Sequence, residues 1–186
     1  MSAENALKRP APVEDDDEVL VERAATGDRR AFTSLYRRHA RYLAGVAFRL
    51  LGDSGELDDV VQEAFLIALR GLGNLKDPSR VRPWLVTILV RRVQRRLRGR
   101  MRRTWLGREL LLVSPTASDP QVSREVSDLY RALERIPVDL RVPWTLARVE
   151  GGGLEEVAEW CDISLATLKR RLNKADELLA RRMGHG

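Results

Sequence analysis

Apolar residues recur every three or four positions along most of the chain, and no stretch alternates convincingly every second residue. A helix gathers positions i, i+3, i+4 and i+7 on one face, whereas a half-buried strand needs a period of two. The pattern confines the chain to an all-α fold. Phe32, Leu35, Tyr36, His39, Leu43, Val46, Ala47 and Leu50 form one such stripe. Leu57, Val60, Val61, Ala64, Phe65, Ala68 and Leu72 form a second, and Leu85, Leu89, Val93 and Leu97 a third. Punctuation agrees with the period. Gly27 and Gly52 are placed to stop helices, and Asp28 to cap the start of one.

The stripes predict helices over about 18–26, 28–51, 55–70 and 80–102. Regularity lapses between 104 and 119, where "SPTASDP" reads as a linker and "LGRELLLV" as a short helix at most. Asp119 and Pro120 are a cap and a first helical residue. Helical pattern then resumes with Val122, Val126, Leu129, Tyr130, Leu133 and Ile136, and is broken at Pro137, at Gly151 to Gly153 and at Asp162. The expected organisation is a disordered tail over 1–14, a helical domain over 15–103, a flexible linker over 104–121 and a second helical domain over 122–186.

Charge narrows the function. Residues 78–108 hold eleven arginines and no acidic side chain, so the net charge of +6 turns negative without them. Localised positive charge attracts a polyanion through counterion release, although a cationic face can also serve solubility alone. Arg91, Arg95, Arg98 and Arg102 fall along one side of the predicted helix, flanked by Arg92, Arg96 and Arg103. Arginine without lysine favours contacts that depend on geometry, as with phosphates and base edges. The single cysteine, Cys161, suits a reducing compartment and excludes an internal disulfide. The longest nearly apolar run, 84–90, is too short to span a bilayer, and the first residues lack the apolar core of a signal peptide. Both point to a cytoplasmic protein without membrane insertion.

The tract "LEEVAEWCDISLATLKRRL" has the form of a helix-turn-helix. Leu154, Val157 and Cys161 form the inner face of its first helix, and Ala158 is small where the helices cross. Ile163 plugs the turn; Leu168 and Leu172 line the inside of the second helix. Ser164 caps that helix, and Lys169, Arg170, Asn173 and Lys174 are left on its outer face. Asp162 occupies a turn position that requires a left-handed backbone, which Asp tolerates better than most residues. A helical hairpin with a solvated cationic face is the plainer alternative.

An enzyme is the least supported class. Asp58, Asp59 and Glu63 cluster on the outer side of "LDDVVQEAFLIALR", but neither His39 nor His185 is near in sequence and no metal-ligand spacing is present. Gly151 to Gly153 lacks the strand before it and the Lys-Ser/Thr after it that a phosphate-binding loop needs.

In their order, these clusters resemble the extracytoplasmic-function group of the bacterial sigma-70 family. "LDDVVQEAFLIALRGL" resembles region 2.2, "RPWLVTILVRRVQRRLR" resembles regions 2.3 and 2.4, and the tract from "LERIPVDLRVPWTLARVEGG" through the helix-turn-helix resembles region 4. Together they cover about 18–103 and 122–182. The resemblance implies a promoter-specificity subunit of RNA polymerase with no cofactor and no chemistry of its own. It makes Asp59, Gln62 and Glu63 contacts to core RNA polymerase. It assigns Leu75, Trp84, Arg91, Arg92 and Arg95 to the unpaired −10 strand. For duplex −35 DNA it aims Lys169, Arg170 and Asn173 at bases, with Ser164, Thr167, Arg171 and Lys174 at phosphates. It also implies an anti-sigma partner. Three positions depart from the pattern. Leu75 stands where members often have an aromatic residue. Arg91 stands where they often have Asn; a guanidinium only donates hydrogen bonds, so phosphate or guanine O6 and N7 would suit it. Pro143 falls where the family helix is continuous, so a helix start or a kink is expected there. A different class, a helix-turn-helix regulator or packaging protein acting without polymerase, would instead bind duplex DNA tightly by itself.

Overall fold

The computed structural model describes residues 15–52, 55–105 and 124–183. These residues form eight α-helices and no strand. The helices are α1 (Asp17–Ala25), α2 (Arg29–Leu51), α3 (Leu57–Gly71), α4 (Val81–Trp105), α5 (Arg124–Glu134), α6 (Val138–Arg148), α7 (Leu154–Cys161) and α8 (Leu165–Met183). Two short 3-10 turns, Leu72–Asn74 and Pro78–Arg80, connect α3 to α4. Among the described residues, no helix is long and apolar enough to cross a membrane. The expected linker, the short helix within it and the Asp119–Pro120 start lie outside the described residues.

Local chemistry sets the helix ends. The Asp28 carboxylate accepts from the backbone N–H groups of Arg30 and Ala31, two of the four donors a helix start leaves unpaired. Gly52 closes α2 in the left-handed region, φ 75°, where a side chain would be strained. The Glu156 carboxylate reaches back to the Gly153 N–H at the start of α7. Ser164 Oγ accepts from the Thr167 N–H at 3.2 Å and opens α8 as its spacing predicts.

One buried cluster runs through α1, α2, α3 and α4 and continues into α6, α7 and α8. Leu35, Leu43, Leu50, Val60, Leu89 and Val93 lie at its centre, with Val142, Leu146, Val157 and Leu168 joined to them. A smaller cluster packs Ala132, Leu133 and Ile136 against Ala175 and Leu179 of α8. The helices on either side of residues 106–123 thus share apolar packing, with α7 lying along α4 and α6 against α2 and α4.

Pro143 neither starts α6 nor ends it: the helix begins at Val138 and continues to Arg148. The proline removes one hydrogen bond, to the Asp139 carbonyl, at a cost of about 3 kcal/mol for a helix interior. Burial of Val138, Val142 and Leu146 on one face offsets it, at roughly 1.5–3 kcal/mol per side chain.

Between α1 and α2 the His39 imidazole is buried and lies 3.0 Å from an Asp17 carboxylate oxygen. Burial lowers its pKa from the ordinary histidine value, and the Asp17 charge only partly opposes this. A histidine that resists protonation when folded binds fewer protons than the unfolded chain. Its contribution is therefore intact at neutral pH and is lost as pH falls through and below the ordinary histidine range. Thermal melts of wild type and His39→Gln between pH 8 and 5 should show a steeper fall for wild type. Parallel curves would rule the imidazole out as the titrating group.

Candidate functional site

The outer face of α3 follows from its inner one. Val60, Val61, Ala64, Phe65 and Ala68 are buried, which leaves Asp58, Asp59 and Gln62 exposed on the opposite side. Leu66 and Leu69 extend that exposed face toward the end of the helix, 55% and 49% accessible. Glu63 is turned partly toward α4. Its carboxylate accepts from Arg92 Nε at 3.0 Å and from Arg96 Nη2 at 2.6 Å. The bond from Arg92, reinforced by Arg96, holds this carboxyl below its usual range although partial burial opposes the shift. Glu56 adds a second rung, with Arg96 at 3.5 Å and Arg100 at 3.4 Å.

The arginines of α4 therefore divide by face. Arg92, Arg96 and Arg100 point to α3 and meet carboxylates. Arg91, Arg95 and Arg98 are exposed on the other side, while Leu85, Leu89, Val93 and Leu97 are buried between the two. Glu63 and Arg92, which the sequence pattern assigns to different partners, are bonded to each other. Arg91 donates to Asp162 at 3.0 Å across 71 residues of sequence. Leu75 and Trp84 are half-buried and pack on the main core. The Trp84 indole lies over Gly71, where an added Cβ would stand 3.3 Å from the ring.

The helix-turn-helix is formed as the spacing predicts. Asp162 closes α7 at φ 57° and ψ 49°, the left-handed conformation its position demands. Val157, Ala158 and Cys161 of α7 are buried with Leu168 and Leu172 of α8. Burial pushes the Cys161 thiol up to about 12, so it packs as an apolar group. Lys169, Arg170, Asn173 and Lys174 are exposed on one side of α8, with Lys174 3.0 Å from Glu177. Arg171 lies at the edge, 3.9 Å from Asp139. An open groove between α6 and α8 is lined by Asp139, Leu140, Arg170, Arg171, Asn173, Lys174 and Glu177. Thr167 is half-buried and accepts a hydrogen bond from the Ser164 hydroxyl at 2.9 Å, so both hydroxyls are engaged at the helix start.

Arg141 was not singled out by sequence. It is 6% exposed and donates to the Leu50 and Leu51 carbonyls at 2.8 and 3.1 Å, capping the end of α2 from α6. Burial lowers its pKa, and the nearby Glu134 charge opposes that. A signal was present: Val138, Val142, Thr145 and Leu146 form an apolar-facing stripe, and Arg141 occupies a position inside it. Beside it, Arg49 of α2 pairs with Glu150 just beyond α6.

These features define an all-α protein with a helix-turn-helix, a separate exposed arginine face and an acidic-to-apolar helix surface. A model of sigma-70 region 2 matches residues 35–103. The ECF RNA polymerase sigma-E factor of Escherichia coli (strain K12) is 30% identical over 176 residues, which is 88% of this chain and 92% of that one. The RNA polymerase sigma-H factor of Pseudomonas aeruginosa is 28% identical over 179 residues, covering 89% and 93%. Among solved structures, CnrH in complex with the cytosolic domain of CnrY aligns with a TM-score of 0.63 and 26% identity, over 92% of this chain and 99% of that chain. The sigma factor RpoE of Bartonella quintana, solved with the anti-sigma factor NepR, shares the fold with a TM-score of 0.65 at 21% identity, over 82% and 96%. The chain belongs to the extracytoplasmic-function sigma factors of the sigma-70 family.

Proposed function

We propose that the chain is an alternative sigma factor that joins core RNA polymerase, selects promoters and starts transcription, including opening of the −10 element. The observation that carries this is the order of three surfaces along a chain of this family: the α3 face, the α4 arginine face and the outer side of α8. Asp59, Gln62 and Glu63 of α3 are assigned to core polymerase. Leu75, Trp84, Arg91, Arg92 and Arg95 are assigned to the −10 non-template strand. Arg91 and Arg95 would hold phosphates by charge-assisted hydrogen bonds. Arg92 would reach DNA only by exchanging Glu63 for it. Lys169, Arg170 and Asn173 would read −35 base edges, with Ser164, Thr167, Arg171 and Lys174 on phosphates. The protein acts by binding, not by catalysis, and works in the cytoplasm, where its polymerase and DNA are. By analogy with the solved sigma factor complexes, an anti-sigma protein is its regulator.

Run-off transcription on fragmented genomic DNA tests the reading. Purified core polymerase with the chain should yield discrete transcripts, and either component alone should not. Tight, salt-sensitive duplex binding by the chain alone, with no transcript in the presence of core polymerase, would favour a helix-turn-helix regulator that acts without polymerase.

A further inference from the structure

The contact between α4 and α7 brings acidic groups onto the arginine face. Glu155, Glu159 and Asp162 follow one another on α7 at spacings of four and three. Arg80, just before α4, pairs with Glu159 at 2.5 Å, and Arg91 pairs with Asp162 at 3.0 Å. Both pairs are open to water: the side chains are 54% and 47% exposed in the first, 58% and 74% in the second. Ion pairs so exposed contribute little to holding two helices together. The packing is held instead by buried groups, namely Val157 and Cys161 in the shared core and Arg141 on the carbonyls of α2. The exposed pairs have a different consequence. Each offers an arginine the same kind of partner that a phosphate would, an anionic oxygen acceptor within hydrogen-bond reach.

We propose that α7 is a built-in competitor for DNA: Glu159 and Asp162 occupy Arg80 and Arg91 while α7 lies on α4, and nucleic-acid phosphate must displace them. The apolar contact supplies the placement and the carboxylates supply the competition, so the chain alone binds single-stranded DNA more weakly than its arginine face allows. The inference rests on the assignment of that face to DNA.

The test uses the full chain and a fluorescein-labelled single-stranded DNA of mixed sequence, about 20 nucleotides long. Asp162→Asn keeps a residue that accepts the left-handed backbone and removes the charge. It should tighten binding about three- to five-fold, the range of a surface ion pair. Glu155→Gln removes the same charge from the same helix at an exposed site outside these pairs, and should change binding by less than about two-fold. In an Arg91→Ala background, Asp162→Asn should have no effect. Equal tightening by Asp162→Asn and Glu155→Gln would overturn the proposal, since only overall charge would then matter. If Arg91→Ala did not weaken binding even in the Asp162→Asn background, the DNA assignment of Arg91 would fall as well, which separates the two failures.

Discussion

Asp59→Arg combined with Gln62→Arg is expected to abolish capture of core RNA polymerase while leaving the melting temperature nearly unchanged. Both side chains are exposed on α3, opposite Val60, Val61 and Ala64, and Gln62 makes no ion pair. Two like charges placed in a docking patch cost several kcal/mol when the partner surface is complementary to the original residues. On a bare solvated face the same changes would stay within about 0.5 kcal/mol of wild-type stability and alter no binding. Glu63 is a poor choice for this experiment despite its place in the sequence pattern. Glu63→Arg would set a third cation against Arg92 and Arg96 and strain the α3–α4 contact, so lost binding would not isolate docking. A pull-down of core polymerase by the folded double variant reads the outcome directly. Undiminished capture would return the α3 face to the role of a solvated surface.

The second large effect concerns Arg141. Arg141→Met removes the charge-assisted donor to two carbonyls that are otherwise buried. Hydrogen bonds to charged groups contribute about 1.5–3 kcal/mol each, and the loss is partly offset because the guanidinium no longer has to be desolvated. A net destabilisation of about 2–4 kcal/mol is expected in denaturant unfolding. It should come with a larger radius of gyration by small-angle X-ray scattering, as α6 separates from α2. Arg141→Lys keeps the charge but loses the planar fork that spans Leu50 and Leu51, and should fall between the two. Wild-type stability and dimensions in both variants would show that the apolar contacts alone hold the helices together.

Much of this architecture could be read from local pattern. The stripes of α2, α3 and α4, the caps at Asp28 and Ser164 and the left-handed Asp162 depend on neighbours within four residues, and the sequence displays those neighbours directly. The face of an arginine on α4 was legible too: Arg91 and Arg92 differ by about 100° around a helix. What each one meets was not legible. The partner of Arg92 lies on α3 and that of Arg91 beyond residue 160, and no periodicity encodes a contact over 71 positions. Pro143 misled for a related reason. Proline disfavours a helix interior locally, and it was the burial of its flanks on distant helices that carried α6 through it. Arg141 hid because a single charge in an apolar stripe looks like an imperfection of the pattern until the carbonyls it serves are in view.

The Glu63 bridge has a consequence for how such a chain can change over time. One carboxylate joins the helix assigned to polymerase to the helix assigned to promoter DNA, through Arg92 and Arg96. A substitution that retunes one surface is therefore felt at the other, and drift at any of these three positions is tolerated only when the other two follow. Promoter preference and polymerase affinity are in that sense inherited together, as a single trait with two readouts.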